Sequence, residues 1–125
     1  MQHDGEVLRG RQVMIVEDEM LLAMELETLL MDLGCGVIGP VPSVARALAL
    51  LDQQRPDAAI LDVNLNGQTA LPVAAALNAQ HVPFMLATGY TDALQGELQA
   101  APRVGKPLNH TELMHALVQI LDASA

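Results

Sequence analysis

The sequence predicts a single α/β domain built on a parallel sheet with helices covering both faces. Three observations predict it. Short apolar runs and helical patterns alternate five times along the chain, and right-handed crossovers leave few other ways to fold such an alternation. The apolar runs carry no polar alternation, as strands buried on both faces do. The hydrophobic content of 51% includes one Phe, one Tyr and no Trp, so Leu, Ala, Val, Ile and Met must fill the core. That mixture suits a helix-rich α/β domain better than a β-sandwich. A chain of 125 residues is long enough to bury one core without staples and too short for two.

Taken in order, residues 1–10 are polar and contain glycine, the pattern of a frayed leader. Gln12 to Val16 is an apolar run, a first strand, and it ends in Glu17-Asp18-Glu19. Met20 to Leu33 is helical in period and stops before Gly34, a suitable residue for a left-handed helix end. Gly36 to Val41 is a weaker strand, shortened by Pro40. Ser43 can cap a second helix running to about Arg55. Within Asp57-Ala58-Ala59-Ile60-Leu61-Asp62-Val63-Asn64 a short apolar run, bounded by Arg55-Pro56-Asp57 and Asn64-Leu65-Asn66-Gly67, reads as a strand covered on both faces and delivers Asp62 to its end. Thr69 can cap a third helix that tolerates Pro72 in its first turn. Pro83 to Ala87 is a fourth strand ending at Thr88-Gly89-Tyr90. Asp92 to Ala100 is a poor helix, interrupted by Gly96 and closed by Pro102. Arg103 to Gly105 is a minimal fifth strand before Lys106-Pro107, and Asn109 with Glu112 forms a capping box for a last helix to about Leu121. The domain is therefore expected over 11–122, with 123–125 a tail.

Fifteen acidic residues against six Lys and Arg give a formal charge of −9. That balance opposes nucleic acid and anionic membrane surfaces. Cys35 is the one cysteine, which excludes a disulfide framework or a thiolate metal cluster. His3, His81, His110 and His115 share no spacing and no acidic partner, and read as surface residues. No signal peptide and no apolar run of about 18 residues is present, so a cytoplasmic protein is expected.

Four strand ends carry polar groups: Glu17 and Asp18, then Asp62, then Thr88, then Lys106. In a parallel sheet these ends share one rim, where open α/β sheets bind ligands. Three carboxylates meeting there would hold protons unless a cation compensates, and oxygen-only donors suit Mg²⁺. A metal held by acids, with a lysine and a hydroxyl opposite, is an arrangement for phosphoryl transfer in which Asp62 is the nucleophile and an aspartyl phosphate the product. Each of these residues alone has an ordinary reading as a turn, loop or surface group; the ordered set does not.

At these residues the chain resembles the receiver domain of bacterial two-component response regulators, over about residues 11–122. The resemblance implies a flavodoxin-like, doubly wound five-stranded sheet of order 2-1-3-4-5. It also implies that Asp62 accepts a phosphoryl group from a kinase histidine, and that Asp18, Asp62 and the Asn64 carbonyl bind Mg²⁺ while Glu17 acts on it through water. Lys106 would contact the phosphoryl group, and Lys106-Pro107 would hold a cis peptide bond. Receivers usually place an aromatic residue three positions before the lysine; here Arg103 stands there. Pro83 to Tyr90 is instead similar to the "FAT GUY" subgroup, whose fourth helix is poorly formed and whose partners tend to be histidine kinases of the HWE type. On that basis Tyr90, with Thr88, is the candidate switch.

In the helix beginning at Met20, Leu22, Leu26, Leu29, Leu30 and Leu33 fall on one side, a core face. Met20, Met24 and Met31 fall opposite, a soft surface suited to docking the kinase's helical phosphodonor domain. The expected function is thus a stand-alone receiver that signals by protein binding, or serves as a phosphorelay carrier or sink, with no output domain because the chain ends at Ala125. It would not be an enzyme beyond its own phosphorylation and slow dephosphorylation. The alternatives are a haloacid-dehalogenase-like phosphatase, which needs a second Asp where this chain has Asn64, and a pseudo-receiver adaptor that never takes phosphate.

Overall fold

The computed structural model describes residues 2–89, 94 and 96–124. Five parallel strands form the sheet: β1 (Gln12–Val16), β2 (Gly36–Val41), β3 (Ala58–Leu61), β6 (Phe84–Thr88) and β7 (Arg103–Gly105). Two further strands, β4 (Asn64–Leu65) and β5 (Gln68–Thr69), make a separate antiparallel hairpin. The sheet order is β2-β1-β3-β6-β7, which, counting only the five sheet strands, is the order that the resemblance implies. The central strands β1, β3 and β6 are the most apolar because helices bury both their faces.

On one face lie α2 (Met20–Asp32) and α5 (His110–Ser124), sharing a core with alternate residues of the strands such as Val13, Ile15, Ile60 and Met85. On the other lie α3 (Val44–Gln53), α4 (Leu71–Ala79) and a 3-10 turn over Gly96–Leu98, packed on Met14, Val16, Ala59, Leu61 and Leu86. The period-two switch of strand residues between the two clusters is the sheet pleat read from both sides.

Local chemistry sets the ends. Ser43 Oγ accepts from the Arg46 amide at 3.2 Å and starts α3; Asn109 Oδ1 accepts from the Glu112 amide at 3.0 Å and starts α5. β2 pairs Met14 with Ile38 but Val16 with Val41, a bulge at Gly39-Pro40. Gly39 has φ +91°, and a Cβ there would meet the Ile15 carbonyl at 3.0 Å, so glycine is required.

Several expectations need correction. The leader is not frayed: α1 (Gln2–Leu8) packs against α5, and Leu8 is buried in the same cluster as Leu117 and Leu121. Its polar composition hid one apolar edge that a neighbouring groove could cover. The last helix runs through Ser124, not to about Leu121, so 123–124 are helical and not tail. Thr69 is a hairpin residue whose Oγ1 accepts from the Leu71 amide at 3.2 Å, and Ala70 occupies the cap position of α4. His110 has an acidic partner after all, Glu25 on α2, at 3.2 Å; the two helices bring together residues that no spacing connects. Arg103 is exposed on edge strand β7, consistent with the cost of burying a guanidinium without a partner. No described helix is long and apolar enough to cross a membrane.

Candidate functional site

Strand register brings the polar ends together. Val16 lies beside Leu61, Leu61 beside Leu86, and Thr88 beside Gly105. The residues that follow, Glu17, Asp62 and Lys106, therefore leave the sheet at one rim. Carboxylate oxygens of Glu17, Asp18 and Asp62 lie within 4.8 Å of one another. Lys106 Nζ stands 3.3 Å from Glu17 Oε1 and 3.4 Å from Asp62 Oδ2, and 3.6 Å from Oε2 of Glu19. Thr88 is buried at the end of β6. The Lys106-Pro107 bond is cis, as is Gly39-Pro40. Above these residues opens a cleft of about 540 Å³ lined by Asp18, Glu19, Asp62, Asn64 and Lys106 together with Asn66, Gly67 and Gly89.

The charges are poised by burial. Glu17 is 3% exposed, and its carboxyl is pushed up to about 7, first by burial and then by the repulsion and hydrogen bond of Asp62, against the pull of the Glu19 amide and of Lys106. Oε2 accepts from the Glu19 amide at 3.1 Å, whereas Oε1 has no hydrogen bond although the lysine charge lies close. Burial draws the Lys106 ammonium down, but Glu17 and Asp62 outweigh it and hold the group above its ordinary value. Crowded acids with a buried oxygen left short of donors are what an oxygen-bound divalent cation relieves, so the residues fit Mg²⁺.

The hairpin after β3 was not legible as a structural element, yet it closes the cleft. Asn64 donates its amide to Asp62 Oδ1 at 3.3 Å, and Asn66 donates its amide to Asp18 Oδ2 at 2.8 Å. Asn66 and Gly67 have φ of +53° and +86°, the two left-handed residues of a two-residue hairpin turn. The Asn-Gly pair was the available signal. In sequence Glu19 is only one of three consecutive acids; its place beside Lys106 comes from the fold.

Along α2 the phase of the core face was right for Leu26 and Leu30, which are buried. Met20, Met24 and Met31 are 76%, 54% and 63% exposed, and Leu21, which sequence reasoning did not select, is 83% exposed. Met20 and Met24 also line a second cavity of about 260 Å³ with Pro40, Pro42 and Arg46, and it reaches Glu17 and Asp18. Met31 lies about two turns further along the helix. Tyr90 falls outside the described residues.

Fold and rim together define the class: a flavodoxin-like sheet whose carboxyl edge holds an acidic, lysine-bridged cleft. Residues 13–118 match the response regulator receiver domain, and the chain belongs to that family of two-component signalling domains. Among solved structures, SdrG from Sphingomonas melonis is 41% identical, with a TM-score of 0.75 over 92% of this chain and 96% of that one. The receiver domain of the sensor histidine kinase PA1611 from Pseudomonas aeruginosa is 27% identical, with a TM-score of 0.76 over 90% of this chain and 98% of that one, and has a magnesium ion coordinated in its active site cleft. The phyllosphere-induced regulator PhyR of Methylorubrum extorquens is 31% identical over 115 residues, 88% of this chain and 43% of that protein. The chain spans between 43% and 45% of the length of the curated relatives it matches.

Proposed function

We propose that this receiver takes a phosphoryl group on Asp62 from a phosphohistidine of a partner kinase. The observation that carries the reading is the ion pair of Asp62 Oδ2 with Lys106 at 3.4 Å, inside a cleft where Glu17 and Asp18 converge. A carboxylate oxygen of Asp62 attacks phosphorus, the bond from phosphorus to the imidazole nitrogen breaks, and the electron pair leaves with the ring. Lys106 balances charge on the transferring oxygens. The Thr88 hydroxyl, at the neighbouring strand end, reports whether the group is present, with Tyr90 beyond it as the responding side chain. Asp18, Asp62 and the Asn64 carbonyl would hold Mg²⁺, with Glu17 acting through water. When bound, that ion neutralises the acids and polarises the phosphoryl oxygens.

The donor we favour is a histidine kinase, of the HWE type on the likeness of Pro83 to Tyr90. The 3-10 turn over Gly96–Leu98, in place of a regular helix turn, supports that likeness. Its phosphodonor helices would dock on Met20 and Met24, exposed beside the acids. The product would act by binding a further protein or by passing its phosphoryl group on.

Intact mass after incubation with acetyl phosphate and Mg²⁺ tests the reading. One added phosphoryl group is expected on the wild type, none on Asp62→Asn, and a much reduced yield on Lys106→Ala. A wild type that gains no mass, or an Asp62→Asn variant that gains as much, overturns it; turnover of a generic phosphate ester would point to a phosphatase instead.

A further inference from the structure

The two acids at the mouth of the cleft are held by backbone amides of one six-residue hairpin, Asn64 to Thr69. Asn64 donates to Asp62 two residues away, a local contact; Asn66 donates to Asp18 across 48 positions of sequence. The hairpin is rigid for three reasons. Leu65 is buried at its base, Gly67 donates its amide to Asn64 Oδ1 at 2.8 Å, and Ala70 donates to the Val63 carbonyl at 2.8 Å. Its tip therefore presents the Asn66 amide at a fixed place.

We infer that the Asn66-Gly67 turn is a positioning device for the cation: its amide pins Asp18 Oδ2 and leaves Oδ1 to the metal. This rests on the reading that a divalent ion occupies the cleft. An aspartate side chain that must be immobilised by the ion itself loses affinity to the cost of ordering, whereas one already held by a charge-assisted hydrogen bond does not. The bond is made by the main chain, so what the sequence must supply at position 66 is not an amide side chain but tolerance of φ +53°. Asparagine and glycine have it; a β-branched residue does not. Asn66 is exposed, so a change there leaves the core alone.

Calorimetric titration of wild type, Asn66→Gly and Asn66→Val with Mg²⁺, without any phosphodonor, tests the inference. Asn66→Gly is expected to bind within about twofold of wild type, and Asn66→Val about tenfold more weakly, the worth of one charge-assisted hydrogen bond. Amide hydrogen exchange reads the bond directly in the unaltered protein: the Asn66 amide should be protected, and that protection should vanish in Asn66→Val. An Asn66→Val protein that binds as tightly as wild type overturns the inference. So does an Asn66→Gly protein that falls as far as Asn66→Val, or a wild-type Asn66 amide that exchanges like open chain. Wild-type protein that binds no Mg²⁺ at all would remove the cation reading first and this inference with it, which separates the two failures.

Discussion

Replacing Glu17 with Gln in the metal-free protein should make the domain more stable at alkaline pH and flatten its pH dependence. The sign follows from the direction of the shift. Glu17 is held at about 7 in the fold against an ordinary 4.5, so the folded state binds the proton more tightly than the unfolded chain. Its contribution to stability is complete below pH 4.5 and is lost as pH rises through 7. At about 1.4 kcal/mol per pH unit the full loss is about 3.5 kcal/mol. About 1 kcal/mol of that is already gone by pH 5, where the unfolded carboxyl is mostly ionised, so about 2.5 kcal/mol is lost between pH 5 and pH 8. In a domain of this size that is about 10 °C in Tm.

Thermal denaturation in EDTA should therefore show wild type and Glu17→Gln close together at pH 5, and the variant about 10 °C higher at pH 8. Saturating Mg²⁺ should reverse the order at pH 8, because the ion stabilises the carboxylate that the variant lacks. Two curves running parallel from pH 5 to 8 in EDTA would refute the reasoning, since they would mean that Glu17 is not holding its proton in the fold.

Leu8→Ala should cost about 2 to 4 kcal/mol in urea denaturation, because Leu8 is 1% exposed within the core cluster. It should also speed labelling of Cys35, whose thiol donates to the Leu8 carbonyl at 3.4 Å; a loss under about 0.5 kcal/mol would mean that α1 is not docked. Met24→Glu should slow transfer from the kinase several-fold while sparing reaction with acetyl phosphate, since Met24 is exposed at 54% and does not line the cleft that holds Asp62 and Lys106; equal rates, or equal losses, with both donors would remove the docking surface.

The five sheet strands and the rim were legible because each depends on a signal the chain carries locally. A strand buried on both faces has to be a run of apolar residues, and a run that stops abruptly at an acid or a lysine marks where the sheet meets solvent. The hairpin depends on no such run: β4 and β5 have two residues each, too short for any periodicity, and only the Asn-Gly dipeptide marks them. Helix α1 was hidden for a different reason. Its sequence, with Gly5 inside it and two apolar residues at its end, has little helical preference of its own, and it is formed by what it packs on. Glu19 was visible as a residue but not as a neighbour of Lys106, because that contact joins a helix start to the end of an edge strand.

The same arrangement explains where occupancy of the cleft should be felt. Asp62 follows β3, the middle strand, paired on both sides and with nothing exposed along Ala58–Leu61. Glu17 follows β1, also interior. The strands that carry these two carboxylates cannot move apart without breaking the sheet, so a proton, a cation or Lys106 is what offsets their repulsion. Lys106 follows β7, a three-residue edge strand paired on one side and exposed at Arg103 and Gly105. Of the partners that meet at the rim, it is therefore the one whose supporting backbone resists displacement least. A group that takes over the lysine's ion pairs changes the balance at that edge first, so the surface of β7 and the segment leading into it is where a partner protein would distinguish an occupied cleft from an empty one. Amide exchange across 96–105 should then respond to a phosphoryl mimic with Mg²⁺ more than exchange across 58–61 does, and an equal response in both would place the signal elsewhere in the fold.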